Sequence, residues 1–209
     1  MAAKLTKSKR TEAREKRRRQ LIDSTIKCIA RKGMSSTTLG DVAREAGLSQ
    51  GIVNLHFESK DNLLTETLRH LSDEYKVQFQ RAIQRAGSKP EYQLHALMKL
   101  DLRPSILDRN KLAVWFGFWS EVKSRPTYQE ICEQTDDYYD DIIRALCSRI
   151  IVDGGYKGVA AGTVSTALNS MTNGMWLSYL ISPKHFDRTT AMSAIDEYLH
   201  HVFPKHFPL

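Results

Sequence analysis

The chain has 209 residues, 41% of them hydrophobic, enough apolar material for a buried core, which excludes a disordered chain. The formal charge is +7, and the whole excess lies in residues 1–63, which hold 14 Lys and Arg against 7 Asp and Glu, whereas residues 64–209 hold 17 of each. Three scattered cysteines without CxxC spacing read as reduced thiols rather than a disulfide framework, no apolar run reaches the ~18 residues of a membrane span, and no apolar signal core follows the basic N-terminus.

Residues 1–19 carry 9 basic and 2 acidic side chains, including Lys16-Arg17-Arg18-Arg19, and read as a basic arm leading into the first helix. A basic segment on a neutral body implies one polyanion-binding module, tracking phosphates or entering a minor groove. Leu21, Ile22, Thr25, Ile26, Ile29 and Ala30 recur at helical spacing until Gly33 stops the helix. Thr38 is the expected N-cap of a short helix with Leu39, Val42, Ala43 and Ala46 on its apolar side. Gly47 ends it, and Ser49 is the expected cap of a brief third helix running to His56. Two short helices joined by the tight turn Gly47-Leu48-Ser49 have the layout of a helix-turn-helix, with Val42, Ala43, Leu48 and Val53 fixing the angle between them. The outward residues of its second helix would be Gln50, Gly51, Asn54 and Leu55. Gln and Asn can bond adenine edges and Leu can touch a thymine methyl, while Gly51 lets the helix sit deep in a groove.

Ser59 is the expected cap of a longer fourth helix carrying Leu63, Leu64, Leu68, Leu71, Tyr75, Phe79 and Ile83. After the break at residues 86–90, helices are expected at about 91–101, 104–124, 127–152, 158–182 and 187–203. The fold class is therefore all-α: a three-helix unit at 20–63 holding the helix-turn-helix, the candidate DNA-binding domain, behind the arm 1–19, then a larger helical body at 64–209, the candidate ligand-binding and dimerisation domain. Trp115 and Trp119 share a helix face at i, i+4, and Asn169, Asn173 and Trp176 share another. Two such faces can enclose a small molecule, or simply be core and interface. Ala167, Ser170, Gly174 and Ser178 form a small-residue stripe suited to close helix approach. With Ile142, Ile143, Leu146, Ile150 and Ile151 they suggest half of an intermolecular four-helix bundle, or intramolecular packing alone. No phosphate loop, HExxH or nucleophile elbow is present, and the adjacent pair His200-His201 is badly spaced for a shared metal, so no catalytic residue, metal or cofactor is expected. The alternative of an architectural nucleic-acid-binding protein explains the arm but not the neutral aromatic body.

Residues 18–64 resemble the N-terminal domain of TetR-type repressors. The family pattern Gly-Val-Ser-x-Gly-x-x-Tyr-x-Tyr/His-Phe-x-x-Lys-x-x-Leu meets, without gaps, the run Gly47-Leu48-Ser49-Gln50-Gly51-Ile52-Val53-Asn54-Leu55-His56-Phe57-Glu58-Ser59-Lys60-Asp61-Asn62-Leu63, and Gly33 and the Thr37-Thr38 pair match upstream. The resemblance implies phosphate contacts from Thr38, His56 and Lys60 and base reading from Gln50. With Arg17, Arg18, Thr37, Ser49, Gly51, Asn54 and Leu55 these complete the expected DNA-binding set. Asn54 departs from the family's Tyr, which leaves the base contact there open.

Lys111 to Pro126, with its Trp-x-x-x-Trp, and Asn173-Gly174-Met175-Trp176-Leu177 resemble the choline-sensing, BetI-type branch of this family. That resemblance implies a cytoplasmic homodimer on a palindromic operator, released by choline or a related quaternary ammonium compound and controlling glycine betaine synthesis genes. An uncharged ligand of another pathway is the alternative. A quaternary ammonium cannot donate a hydrogen bond and is held by aromatic faces. The expected ligand set is Trp115, Trp119, Trp176, Asn169, Asn173, Tyr139 and Asp136, with Tyr138, Asp137 and Asp140 as further candidates. The ligand would bias a second arrangement of the dimer in which the fourth helix moves.

Overall fold

The computed structural model describes the backbone of residues 2–208 and the side chains of residues 11–208. The side chains of Lys4, Lys7, Lys9 and Arg10, in the basic arm, lie outside the described residues. Every regular element among the described residues is an α-helix: α1 (Ala2–Lys32), α2 (Leu39–Ala46), α3 (Gln50–Phe57), α4 (Lys60–Arg85), α5 (Pro90–Asp101), α6 (Arg109–Glu121), α7 (Pro126–Gly154), α8 (Ala161–Ile181) and α9 (Arg188–Val202). None is long and apolar enough to cross a membrane.

The helix ends follow local chemistry. Thr38 caps α2 through a reciprocal box with Asp41, and Gly47 closes α2 at φ +66°, a conformation that favours glycine. Ser59 caps α4 by accepting the Asn62 N–H (3.1 Å). Ser49 precedes α3 but makes no side-chain cap, contrary to expectation. The basic arm is not a tail but the first half of α1. The helix expected at about 104–124 is shorter, because Pro104 sits in a turn in which Leu107 N–H bonds the Arg103 carbonyl (2.8 Å) and Asp108 then caps α6.

Two apolar cores form. One joins Leu21, Ile22, Val42, Val53 and Phe57 of α1–α3 to Leu63, Leu64 and Leu68 of α4, and also takes in Val114 and Phe118 of α6 and Tyr128 of α7. The other fills the body between α4, α5, α7, α8 and α9, around Leu94, Leu97, Met98, Ile143, Leu146, Ile150, Leu168 and Ile195. The 26-residue α4, about 39 Å long, runs through both. Ile143, Leu146 and Ile150 are thus spent on the chain's own core and are unavailable for the intermolecular bundle. The small-residue stripe behaves differently: Ser170, Gly174 and Ser178 are exposed on α8 beside Leu177 and Ile181, which are 42% and 69% exposed.

Candidate functional site

The first candidate surface is the three-helix head. Val42, Ala43 and Val53 are buried between α2 and α3, with Leu48 half-buried beside them, as the turn pattern requires. That packing turns Gln50, Gly51, Asn54 and Leu55 outward, Leu55 at 72% exposure. Ser49, exposed and not committed to a cap, leaves its hydroxyl at the N-terminus of α3, where the helix favours an anion. Thr38 is exposed too, but its hydroxyl donates to Asp41 (2.9 Å) and accepts the Asp41 N–H (3.1 Å), so a phosphate would have to share it. Lys32 (2.6 Å) and Thr38 hold the Asp41 carboxyl well below the usual range, fixing the end of α1 against α2.

Two expected DNA residues are placed otherwise. Thr37 is buried, and its hydroxyl donates to the Gly33 carbonyl (2.8 Å), so it braces the α1–α2 loop instead of facing outward. Arg18 is half-buried, lies over the Phe57 ring (5.5 Å) and is ion-paired with Glu66, so it ties α1 to α4. Arg17 remains exposed and bonds Gln20 (2.7 Å). Lys60 donates to the Ser35 carbonyl (2.9 Å), which aims the ammonium along the rim and leaves two of its protons for other acceptors. Desolvation, reinforced by Arg14, Arg17 and Arg18, lowers the His56 pKa, so at neutral pH it offers one ring N–H without a charge.

The second candidate site is a cavity of about 270 Å³ between α4, α6, α7 and α8, with the end of α5 in its wall. It gathers all seven expected ligand residues, Trp115, Trp119, Asp136, Tyr139, Asn169, Asn173 and Trp176. It also contains Tyr75, Phe79 and Asp101, which sequence reasoning missed. Tyr75 stands edge-on to Tyr139 (4.7 Å between centroids) and to Trp176 (5.8 Å), and Phe79 lies 4.7 Å from Tyr139. Trp115 and Trp119 line the same cavity, 6.4 Å apart.

Asp101 is the unusual member. It is 4% exposed, accepts the Tyr75 hydroxyl, and has no cation within ion-pair distance among the described residues. Desolvation pushes its carboxyl up to about 7 in spite of the Tyr75 bond. Its main-chain carbonyl accepts the Trp176 indole N–H (3.0 Å), which fixes that ring in the wall. Asp136 lines the cavity although it is still exposed, and desolvation, with Asp137 beside it, raises its carboxyl to about 6. Asn169 is less available than expected, because its amide donates to Asp140 (3.1 Å). Asp140 is further bonded to Ser165 and Arg144, which keep its carboxyl low against desolvation. The sequence does carry one signal for Asp101: it is the lone acid between Leu100 and Leu102, within the apolar run Leu94, Leu97, Met98.

α6 touches both places. Trp115 and Trp119 line the cavity, while Val114 and Phe118 are fully buried in the head's core and Gly117 approaches Met34 so closely that an added Cβ would sit 3.4 Å from its methyl. Lys111 fastens α6 to Glu74 of α4 (2.7 Å), and Arg125, just before α7, reaches Asp61 at the start of α4 (2.9 Å).

The arrangement is matched in known proteins. Residues 21–67 match the family of bacterial regulatory proteins of the tetR type, and residues 90–204 match the C-terminal domain of BetI-type transcriptional repressors. The HTH-type transcriptional regulator BetI of Paraburkholderia phymatum is 31% identical over 188 residues, 89% of this chain and 92% of that protein. Its counterpart in Paraburkholderia xenovorans is 29% identical over 89% and 93%. Among solved structures, a transcriptional regulator from Pseudomonas aeruginosa PAO1 superposes with a TM-score of 0.81 at 22% identity, over 92% of this chain and 93% of that one. A regulator from Saccharomonospora viridis in complex with choline superposes with 0.78 at 23% identity, over 90% and 97%. The chain belongs to the TetR family and is a transcriptional regulator related to BetI.

Proposed function

We propose that this TetR-family regulator is a cytoplasmic homodimeric repressor whose operator is released by choline or a closely related quaternary ammonium compound, so that it controls glycine betaine synthesis genes. The observation that carries the effector is the buried, unpaired Asp101 among the rings of Tyr75, Tyr139 and Trp176. A cation without N–H groups satisfies both features, gaining about 0.5–2 kcal/mol from each ring face and neutralising the carboxylate. A neutral ligand satisfies only the rings. The choline bound in the Saccharomonospora viridis regulator supports the same chemistry.

In this reading residues 20–63 read the operator behind the helical arm 1–19, and residues 64–209 hold effector and dimer contacts. Gln50, Gly51, Asn54 and Leu55 face the bases, while Ser49, Thr38, His56, Lys60 and Arg17 reach phosphates. Two copies meet through the exposed α8 stripe and set two α3 helices about 34–36 Å apart, one turn of DNA. A cation entering the cavity shifts Trp115 and Trp119, and α6 carries the displacement through Val114 and Phe118 to the head while α4 moves with it. A complete switch needs roughly 5.5 kcal/mol of preference for the released state.

The test compares choline with its uncharged isostere 3,3-dimethylbutanol by calorimetry, on the native chain and on Asp101→Asn. Choline is expected to bind the native chain at least tenfold tighter than the isostere, and Asp101→Asn to remove most of that difference. Equal affinities on the native chain would dispose of the cationic effector, and the family assignment would stand untouched.

A further inference from the structure

At one place in the otherwise neutral body three arginines stand together around a cleft without an acid. Arg81 and Arg85 lie one turn apart near the end of α4, and Arg103 follows α5. All three border one cleft of about 290 Å³, with Ala82, Ala96 and Leu100 in its lining. Several other basic side chains of the body are ion-paired to acids: Arg125 meets Asp61 and Glu121, Arg144 meets Asp140 and Asp141, and Lys111 meets Glu74. Arg81, Arg85 and Arg103 are exposed and have no ion-pair partner among the described residues, and no acid lines their cleft. Asp101, two residues before Arg103, lines the aromatic cavity instead, where its carboxylate accepts the Tyr75 hydroxyl.

Like charges at i, i+4 on a helix repel by a few tenths of a kcal/mol. The dipole of α4 can excuse Arg85 in its last turn, but not Arg103 on the neighbouring segment. An anion turns this repulsion into attraction. Guanidinium groups match phosphate oxygens in forked, charge-assisted pairs, and the alanine and leucine lining accepts a carbon skeleton beside them. Arg81 follows Lys60 by 21 positions, about 32 Å along α4, so the cleft is remote from the three-helix head. We infer that this cleft is a second small-molecule site, one that takes a phosphate-bearing metabolite through Arg81, Arg85 and Arg103.

The experiment titrates the full chain with inorganic phosphate and with glycerol 3-phosphate at constant ionic strength, by calorimetry. One saturable site per chain is expected. Its affinity should fall about tenfold or more in R81Q/R85Q and again in R103Q, the scale of losing one or two charge-assisted bonds. R81K/R85K keeps the charge and loses the fork, and an intermediate affinity is expected. Tighter binding of glycerol 3-phosphate identifies an organic phosphate that uses the apolar lining; equal binding identifies free phosphate. Circular dichroism of each variant checks that it is folded. Saturable binding that disappears in K60Q but survives in R81Q/R85Q would place the anion at the head and overturn the inference. So would the absence of saturable binding to either probe, or R81K/R85K binding as well as the native chain.

Discussion

The three-helix head and the aromatic cavity solve opposite problems. The head keeps its working groups in water and spends its buried atoms on angles: Val42, Ala43 and Val53 are hidden so that Gln50 and Asn54 can project. The cavity hides its working groups, including a carboxylate, and so raises the cost of leaving them unmatched. The first surface suits a ligand that brings its own dense charge. The second suits one that arrives with a single, poorly hydrated charge. α6, like α4 and α7, has a side in each, and the largest expected effect falls on it. Phe118→Ala removes a fully buried ring that stands edge-on to Tyr128 (4.9 Å) in the head's core. A loss of about 3–5 kcal/mol in denaturant unfolding is expected. Choline affinity measured on the folded fraction should change far less, because the Phe118 side chain is absent from the cavity wall. Equal damage to both would mean that the two regions are one cooperative unit.

The next effect separates the regions by pH. Asp101 has its ordinary value of 3.8 raised to about 7, so the folded chain holds a proton that the unfolded chain has released. Ligand-free stability should therefore fall as pH rises from about 4 to 7 and then level off. A bound cation favours the ionised carboxylate, so binding expels the proton below pH 7. Choline affinity should rise up to about tenfold per pH unit on the acid side and flatten above pH 7. Asp136, raised to about 6, adds in the same sense, and only its smaller contribution should remain in Asp101→Asn. Calorimetry from pH 5.5 to 8 reads this directly; a flat profile would remove Asp101 from the binding of charge. His56, proposed for the operator face, is shifted in the opposite direction, its pKa lowered by desolvation and by the nearby arginines.

The two regions also differ in how far they could be read from sequence. The head is local: twenty residues from Thr38 to Phe57 contain the cap, the turn, the small core and the outward face, and helical period places each one. The expected ligand residues Trp115 and Trp119, and Asn169, Asn173 and Trp176, are legible only as fragments, because helical spacing reports a shared face without saying what the face meets. Tyr75 and Phe79 read as part of an ordinary apolar stripe, and only the packing of α4 on α7 and α8 turns them into cavity wall. Asp101 is hard to single out because a single acid at the end of a helix reads as solvated. Periodicity also misplaced Ile143, Leu146 and Ile150, since it cannot tell a chain's own core from a partner's.

Within the head, burial divides residues that the family pattern treats alike. Lys60→Gln should weaken operator binding evenly across sequences and lower the salt slope by about 0.9, the signature of one phosphate contact, with little change in stability. Thr37→Val should do the reverse: it loses the buried bond to the Gly33 carbonyl, costs about 1 kcal/mol in unfolding, and leaves the salt slope alone. A Thr37→Val protein of native stability but weaker operator binding would return Thr37 to the DNA face.

The smallest effect concerns the joint between α3 and α4. Glu58 is the one non-glycine residue with positive φ among those described, at φ +61° and ψ −42°, and the Ser59 N–H folds back onto the Phe57 carbonyl across it. This is a γ-turn of the strained kind, which L-residues avoid and glycine adopts freely. Relief of strain of about 1–3 kcal/mol is partly offset by the extra freedom glycine gives the unfolded chain, about 0.4–1 kcal/mol. Glu58→Gly should therefore stabilise the protein by roughly 1 kcal/mol, or about 2–4 °C in Tm for a chain of this size. The substitution also removes an acid next to the proposed phosphate contacts of His56 and Lys60, so operator affinity should rise slightly. Glu58→Gln separates the two causes, since it removes the charge and keeps the Cβ. It should share the gain in operator affinity and none of the gain in Tm. If Gln raises Tm as much as Gly does, charge rather than backbone strain governs this joint, and the contrast between a head built on conformation and a cavity built on charge narrows to that extent.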